Sequence, residues 1–481
     1  MSVSKNIPKV EQVWTKLLKE IENNVSNSKR FAIGYNVNLD VVLPAVDFFN
    51  KYIEMNNLDI STLEAKDCKE ITTIEDLISV FKFHFKDGRA AERFVTDSKL
   101  YKKLTTFFIE NIDHKFLLGG NAGLMANSLS ENGIPVLLAG IKGPILEKLI
   151  HKKVEFPKCE FVGEETKKEN QQKLEKWYIE NGIEFGENSD QIHLILEYKE
   201  GSSFGGLTAG RTNRFIISND YFNAKMKTMK LFKSQITSYQ PTDIVATGIH
   251  LGDGLEKQDR LQLVDQFADN IKTLDPEIPL HFEFASVANL GFLEKILNKV
   301  LPLIDSVGIN EQELSSIAIS LGKYSNEEIE SIRNSSPPIK LISQVMYDTF
   351  SKFENTKLSR IHFHCLGYHM IGQNPDIWED SYNAVAAGSL KASTQASGFT
   401  LEEAIEMENF ATEKLEFNER SWKLDQVNWN NDGIMRDFNI QNIKFFWAPV
   451  APCKIPIKTV GLGDAISITG FMNSNKKKKK N

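Results

Sequence analysis

Short apolar runs alternate along this chain with longer stretches in which apolar residues recur every three or four positions. Continuous apolar runs are typical of strands covered on both faces, and the longer pattern is typical of amphipathic helices. The runs predict strands at Arg30–Asn36, Lys115–Leu118, Pro135–Ala139, His193–Tyr198, Arg214–Ile217, Asp243–Thr247, Pro279–Phe284, Ser306–Ile309, Ile339–Ser343, Arg360–Cys365 and Lys444–Pro449. The longer pattern predicts helices at Asn121–Asn132, Asp259–Thr273 and Leu290–Leu301.

This rhythm of strand, helix and strand predicts an α/β fold with a doubly wound, mainly parallel sheet. Two regions depart from it. Asn50–Asn111 is charged and helical with few strand signals, whereas Asn181–Asn219 is dense in strand and glycine signals. We expect both to belong to an insertion or lid, because 481 residues suit either three units or one large body with an insertion.

Composition narrows the class of protein. Apolar residues make up 41% and charged residues 25%, values that exclude disordered and collagen-like chains. The formal charge of -7 argues against a nucleic-acid-binding protein. Four scattered cysteines, with no CxxC pair, argue against disulfides and zinc. The first residues carry no apolar leader and no run is long enough to span a membrane, so we expect a cytoplasmic location. No repeat or heptad pattern demands assembly, so we expect a monomer.

A glycine-rich turn precedes the last predicted helix and reads Gly461-Leu462-Gly463-Asp464. A glycine turn at a helix N-terminus directs free N–H groups at an anion. An aspartate beside those groups suits a base that accepts a hydroxyl proton during phosphoryl transfer. Asp464 as an ordinary helix cap is the alternative.

Two polar segments follow predicted strands, where open α/β sheets bind their ligands. Gly119 and Gly120 allow close approach of a ligand, and Asn121 can bind a polyol hydroxyl or cap a helix. Asn38 and Asp40 lie two residues apart and share a side in extended chain. An amide and a carboxylate suit sugar hydroxyls, with a simple Asx turn as the alternative.

Carboxylates also follow two neighbouring predicted strands. Glu283 follows His281 on the same strand face, and Glu313 lies just beyond the next strand. Carboxylates at adjacent strand ends can hold magnesium, directly or through water. Glu313 alternatively serves the first turn of a helix, where its charge favours the helix dipole.

The basic and metal-ligating side chains have competing interpretations. Arg214 enters a strand and could reach phosphate oxygens or protect a sheet edge. His362 and His364 share a strand face, but Cys365 points away from them. Structural histidines are therefore favoured over a zinc site.

Together these segments resemble the ribokinase-like sugar kinases, and within them the ADP-dependent glucokinases. The resemblance covers nearly the whole chain in order, and its motifs are Gly34–Asp40, Gly88–Phe94, Leu118–Gly123, His193–Tyr198, Asn213–Ile216, His281–Ser286, Gly308–Leu314, Ile361–His364 and Lys458–Ser467.

The resemblance implies a large α/β nucleotide-binding domain over 1–41, 117–182 and 221–481. It also implies a discontinuous α+β lid over 42–116 and 183–220. The implied reaction transfers the β-phosphoryl group of ADP to the 6-hydroxyl of D-glucose with the help of Mg²⁺. An ADP-dependent phosphofructokinase, an ATP-dependent sugar kinase of this fold and a non-catalytic sugar- or nucleotide-binding relative remain as alternatives.

The resemblance also implies residue roles. Asp464 would be the base, and Gly461, Leu462 and Gly463 would form the anion hole. Magnesium would be served by Glu283, Glu313 and Asp464. The sugar contacts implied are Asn38, Asp40, Glu92, Gly119, Gly120, Asn121 and His193. Arg214 would face the ADP phosphates, and the nucleotide would also contact Val450, Val460 and Gly463. A carboxylate at Glu92 would repel a sugar phosphate, which favours glucose, although Lys199 could serve such a phosphate.

Overall fold

The strands of the protein form two large sheets in a computed structural model that describes residues 10–21, 29–68, 70–157, 190–285, 287, 289–416, 436–457 and 461–477. In chain order the strands are β1 (Phe31–Gly34), β2 (Asn38–Pro44), β3 (Glu70–Ile71), β4 (Ala91–Val95), β5 (Lys115–Gly119), β6 (Val136–Ala139), β7 (Val154–Glu155), β8 (Ile192–Tyr198), β9 (Ser203–Phe204), β10 (Leu207–Thr208), β11 (Asn213–Ser218), β12 (Asp243–Ala246), β13 (Leu280–Glu283), β14 (Ser306–Asn310), β15 (Arg360–His364), β16 (Tyr368–Gln373), β17 (Trp378–Glu379), β18 (Arg436–Ile440), β19 (Ile443–Pro449) and β20 (Asn475–Lys476).

Among the described residues, the first sheet has ten strands in the order β18-β19-β16-β15-β14-β13-β12-β1-β6-β7. Its centre from β15 to β7 is parallel, and β16, β18 and β19 add an antiparallel edge. The central strands are buried on both faces, as their continuous apolar sequences predict. The predicted α/β fold with a mainly parallel sheet is confirmed.

The second sheet has six strands in the order β3-β4-β11-β8-β2-β5 among the described residues, with mixed directions. It draws on both regions that depart from the α/β rhythm, and its apolar face packs on Phe49, Phe81 and Phe85. Residues 38–41 and 117–119, which the predicted boundaries assign to the large domain, pair within this sheet. The boundary near residue 182 falls outside the described residues, and the domain boundaries stay a prediction.

The helices cover both sheets. They are α1 (Val10–Ile21), α2 (Ala45–Met55), α3 (Ile74–Asp87), α4 (Ser98–Asn111), α5 (Asn121–Glu131), α6 (Leu146–Leu149), α7 (Tyr221–Ala224), α8 (Met229–Tyr239), α9 (Lys257–Lys272), α10 (Leu290–Lys299), α11 (Glu311–Leu321), α12 (Asn326–Ile332), α13 (Ile339–Lys352), α14 (Ser381–Ala396), α15 (Leu401–Glu406), α16 (Phe410–Lys414) and α17 (Leu462–Met472). No described helix has the length and apolarity that a membrane crossing demands.

One predicted strand is wrong. Ile339–Ser343 forms the start of helix α13, whose buried residues include Ile339, Ile342, Val345, Met346 and Phe350. Three apolar residues within five suggested a strand, but the apolar spacing of three and four continues past them and gives a helical face. Two strands that carry site residues, β2 and β4, were not predicted.

Candidate active site

Helix α17 begins at the glycine-rich turn and points its N-terminus at the edge where the parallel strands end. Gly461 is the N-cap residue at a φ of 69°, a left-handed conformation that suits glycine. No side chain caps this helix. Its first N–H groups are therefore available to an anion, as a phosphoryl group requires.

Asp464 lies in the first turn of α17, where only 9% of the residue is exposed. Burial above all, together with the charge of Glu283, raises the pKa of its carboxyl to about 7, against a lowering by Asn121. The Asn121 amide Nδ2 donates to Asp464 Oδ1 at 2.7 Å. Asn121 therefore orients the carboxylate that the sequence predicted as the base.

Glu283 ends strand β13 and stays ionised although it is buried. Its carboxylate contacts His281 Nε2 at 3.2 Å and His364 Nε2 at 3.6 Å. Burial alone would raise the pKa of Glu283, but these two histidines outweigh it and lower the pKa. Ser467 on α17 also contacts His281 Nε2, at 3.0 Å, so the helix and the strand share one polar network.

Glu313 is the most strongly perturbed of these carboxylates. It closes the capping box of α11, where the backbone N–H and side-chain amide of Asn310 donate to its two oxygens at 2.9 and 3.0 Å. Burial above all, with the charges of Glu283 and Asp464, raises its pKa to about 8, although the bond from Asn310 lowers it in part. The capping role and the closeness to two other carboxylates therefore occur together.

The donor set fits magnesium in chemistry and charge. Glu283 raises the pKa of both Glu313 and Asp464, so a divalent cation beside the three buried carboxylates would relieve their repulsion. Within the described ranges, however, no group of three or more His, Cys, Asp or Glu side chains is arranged to hold a metal directly. Glu283 and Glu313 already accept bonds from protein groups, which suits contact with a hydrated ion.

The second sheet presents a polar face opposite its apolar one. Asp40 on β2 pairs in register with His193 on β8, and Ser218 on β11 lies next to His193. Because side chains alternate along a strand, these residues share a face, while Leu39, Val41, Leu194 and Ile217 pack into the core. We call Asn38, Asp40, Glu92 and His193 the sugar face.

Asn38 and Asp40 are locked together on this face. The Asn38 amide donates to Asp40 Oδ1 at 2.6 Å. A Cβ on Gly119 would overlap both side chains, so only glycine fits beside them. Burial raises the pKa of Asp40, and His193 lowers it in part. This arrangement excludes the simple Asx-turn interpretation, since the two side chains bond each other across an ordered strand.

Glu92 enters the face from β4, a strand that the sequence did not reveal. It pairs opposite Ile216 and so points to the same side as Ser218. Solvent reaches this side chain, yet protein atoms crowd around it and raise the pKa of its carboxyl, with Asp40 and Asp220 adding to the rise. A carboxylate that is crowded but accessible is what a cleft wall provides.

Gly120 and Asn121 join the two parts of the site. Gly120 has a φ of 79°, and a Cβ there would lie 2.6 Å from the backbone oxygen of Asn36. Asn36 Nδ2 in turn lies 3.5 Å from Asn121 Oδ1. The tight turn therefore places Asn121 between the end of β1 and the catalytic candidate Asp464.

The predicted nucleotide contacts lie in different parts of the structure. Arg214 on β11 lowers the pKa of both Asp40 and Glu92 by its charge, so it lies near the sugar face. Val450 is buried with Ala392 and Ile466 beside the start of α17. Val460 lies outside the described residues. The roles of Arg214 and Val450 toward the nucleotide stay predictions.

Three residues that are candidates for a functional role were not identified from the sequence. Asp220 bonds His193, and His250 lies near enough to His193 for its pKa to be lowered to about 4, mainly by burial. Ser467 reaches the His281 ring. A buried carboxylate after a strand could have indicated Asp220, but no spacing rule links positions 193, 220 and 250.

His362, His364 and His369 form a buried triangle with ring centroids 6.1 to 6.5 Å apart. Their position under α14 and α17 suits packing, because Gly388 and Gly470 lie directly over two of the rings. His364 additionally reaches Glu283 and so belongs to the polar network of the site.

Comparison with known proteins places this geometry in a family. The model of the ADP-specific phosphofructokinase/glucokinase conserved region matches residues 29–473. The ADP-dependent glucokinase of Bos taurus is 30% identical over 459 residues, which cover 93% of this chain and 84% of the relative. The ADP-dependent glucose/glucosamine kinase of Pyrococcus furiosus is 26% identical and covers 97% and 98% respectively.

A solved phosphofructokinase from Pyrococcus horikoshii with AMP shares the fold at a TM-score of 0.70 and 20% identity, covering 94% of this chain and 98% of that one. A family match over nearly the whole chain agrees with the two sheets and with the intact glycine turn. The chain belongs to the ADP-specific phosphofructokinase/glucokinase family.

Proposed function

We propose that this protein is an ADP-dependent glucokinase, which transfers the β-phosphoryl group of ADP to the 6-hydroxyl of D-glucose. The observation that carries the proposal is the buried Asp464, oriented by Asn121 beside the open N-terminus of α17. The sugar face supplies hydroxyl-binding groups, and relatives named for ADP-dependent glucose phosphorylation align over most of the chain.

The chemistry follows from these positions. Asp464 takes the proton of the glucose 6-hydroxyl as that oxygen attacks the β-phosphorus of ADP. The bond between the β-phosphorus and the bridging oxygen breaks, and AMP leaves with the bond electrons. The N–H groups at the start of α17 hold the transferring phosphoryl group, with Gly461 and Gly463 keeping the approach open.

Magnesium is part of the proposal. Glu283 and Glu313 are the residues that would hold the ion through its waters, near Asp464. When bound, it would offset the negative charge of the diphosphate. Burial is the main cause of the raised pKa values of Glu313 and Asp464, and the charge of Glu283 adds to both, so a cation bound beside them would be stabilising.

The second candidate is phosphorylation of fructose 6-phosphate, since the family includes both activities. Lys199 favours it, because this lysine is exposed just beyond β8. Glu92 opposes it, since its carboxylate would repel a sugar phosphate. Glucose is therefore the substrate that the sugar face fits better.

A coupled assay should cross ADP and ATP with glucose and fructose 6-phosphate, in the presence and absence of Mg²⁺. We expect turnover with ADP, glucose and Mg²⁺. Turnover with ATP but not ADP would overturn the donor, and preference for fructose 6-phosphate would overturn the acceptor. A cytoplasmic location and a monomeric state stay predictions from the sequence.

A further inference from the structure

A buried histidine–aspartate pair joins the sugar face to the residues behind it. His193 Nε2 and Asp220 Oδ2 are 3.0 Å apart, and their side chains are only 6% and 2% exposed. Asp220 follows β11, on the path that returns from the second sheet to α7. Burying an aspartate is costly unless strong bonds compensate it.

Those bonds fix the Asp220 carboxylate in one orientation. As the N-cap residue of α7, it accepts from the Asn223 backbone N–H at 2.8 Å and from the Asn223 amide at 2.6 Å. The same amide donates to the carbonyl of Val37 at 2.9 Å. Val37 lies between β1 of the first sheet and β2 of the second, so Asp220 is tied to two of the segments that connect the sheets.

The orientation of His193 follows. A carboxylate only accepts hydrogen bonds, so Nε2 of His193 carries the hydrogen that faces Asp220. Asp220 is the hydrogen-bond partner that the described residues give the His193 ring, and it engages Nε2. Nδ1 has no such partner among them, yet it is not one of their buried unpaired atoms, so it is open to solvent beside Asp40 and Glu92, where a ligand can meet it.

The charged groups around the His193 ring also favour this orientation. Asp220 faces His193 from the start of α7, Asp40 from β2 and Glu92 from β4. His250, from the turn after β12, is close enough for its own pKa to be lowered by His193, and Arg214 on β11 acts on Asp40 and Glu92. Burial would lower the pKa of His193, but Asp220 above all outweighs burial and raises it.

We propose that Asp220 is a positioning residue for the sugar, which holds the His193 ring with Nε2 inward and Nδ1 toward a glucose hydroxyl. This inference rests on the proposed function, because it takes glucose as the ligand of the sugar face. Asp220 itself touches no substrate and acts through His193.

Asp220→Asn is the informative variant. Asparagine caps helices as well as aspartate does, so α7 keeps its cap while the charge opposite His193 is lost. Hydrogen bonds to charged groups are strong enough that we expect the glucose Kd, from calorimetry, and the glucose KM to rise about tenfold. The KM for ADP and the melting temperature of the protein should stay unchanged.

The matched control is Asp97→Asn, which changes the N-cap aspartate of α4, where the carboxylate accepts only backbone N–H groups of its own helix. It should leave the glucose Kd unchanged. A double-mutant cycle with His193→Gln then separates positioning from packing: without His193, the Asp220→Asn change should no longer affect glucose binding.

The pH dependence gives a readout that packing alone would not move. Asp220 raises the pKa of His193, so the ring keeps its proton to a higher pH in the wild-type protein than in Asp220→Asn. The rise of the glucose KM with pH should therefore begin at a lower pH in Asp220→Asn than in the wild-type protein.

The inference is overturned if Asp220→Asn leaves the glucose Kd unchanged, or if it weakens binding equally in the His193→Gln background. Its failure is distinct from failure of the proposed function. Wild-type protein that binds glucose but does not phosphorylate it with ADP removes the function, while calorimetry still decides the role of Asp220. Protein that binds no glucose at all overturns both.

Discussion

At the scale of single residues, burial decides which carboxylates can do chemistry. Asp464, Glu283 and Glu313 lie close enough to perturb one another, and protein bonds set their charges differently. Two histidines keep Glu283 ionised, whereas burial raises the pKa of Asp464 to about 7. A base with a pKa close to the working pH is what proton transfer favours.

Asp464→Asn should lower kcat by about 10²- to 10⁴-fold, because asparagine cannot accept the hydroxyl proton. The KM values for glucose and ADP should change little. Steady-state kinetics measure this, and Asp76→Asn is a matched control since Asp76 also occupies the third position of a helix, α3, far from the turn. Near-normal turnover in Asp464→Asn would return this residue to a structural role.

Glu313→Gln should stabilise the metal-free protein at alkaline pH. The folded-state pKa of Glu313, about 8, lies above the ordinary glutamate value of 4.5, so stability falls as pH rises from about 4.5 to about 8. Glutamine keeps the capping box without that charge. Urea unfolding in chelator near pH 6 and pH 9 should show less pH dependence in the variant.

The same variant should need more Mg²⁺ for half-maximal activity, because one carboxylate is removed from the proposed ion site. Glu328→Gln, in the exposed capping box of α12, is the control.

If the pH dependence of unfolding is the same in Glu313→Gln as in the wild-type protein, the charge assigned to Glu313 is contradicted.

At the scale of elements, glycines bring strands and helices close enough to build the site. Gly119 ends β5 against Asp40 and Asn38, and Gly308 on β14 leaves room for Glu283 and Ser467. Such positions cannot accept a Cβ without moving a functional side chain. The sugar face and the carboxylate network are therefore products of strand packing.

Gly119→Ala should raise the glucose KM by about tenfold or more, since the added Cβ displaces the Asp40 carboxyl and small displacements in a site are costly. The ADP KM should change less. Gly291→Ala in α10, where the nearest atom to the added Cβ is 3.5 Å away, is the control. Glucose affinity equal to wild type would show that the carboxyl of Asp40 is not needed in its present position.

At the scale of the whole molecule, the proposed sugar contacts and the proposed base lie on different parts of the fold. Asn38, Asp40 and Glu92 lie on strands of the second sheet, whereas Asp464 and Glu283 belong to elements of the first. Short segments such as 35–37 and 219–220 connect them. We expect the sugar to reach the base when one sheet approaches the other, which would also exclude water.

Glucose should make the protein more compact, because binding groups on both sheets close around one small ligand. Small-angle scattering should show a decrease in the radius of gyration with D-glucose. L-glucose, which has the same composition and the opposite handedness, is the control. An identical radius with both sugars would indicate that the sheets already hold their working positions.

Much of this was accessible from the sequence. The continuous apolar runs predicted the parallel strands β1, β6 and β12 to β15, because a strand buried on both faces must be apolar throughout. The glycine turn predicted the start of α17 and singled out Asp464, since backbone geometry at a phosphate site leaves a local signature. The motif order predicted the family.

Other features depended on contacts between distant positions. β2 and β4 carry polar residues toward the sugar face, so their sequences lack a clear strand pattern. The apolar start of α13 looked like a strand until its longer spacing was considered. Asp220 has no motif of its own, because its importance comes from His193, 27 positions away along the chain.

The sequence by itself determined the fold class, the family and the glycine turn, because these rest on local periodicity and local backbone geometry. Only the tertiary structure decided which carboxylates are ionised and which histidine is held by which aspartate. Charge and orientation depend on burial and on partners far apart in the chain, as Asp464 with Asn121 and His193 with Asp220 demonstrate.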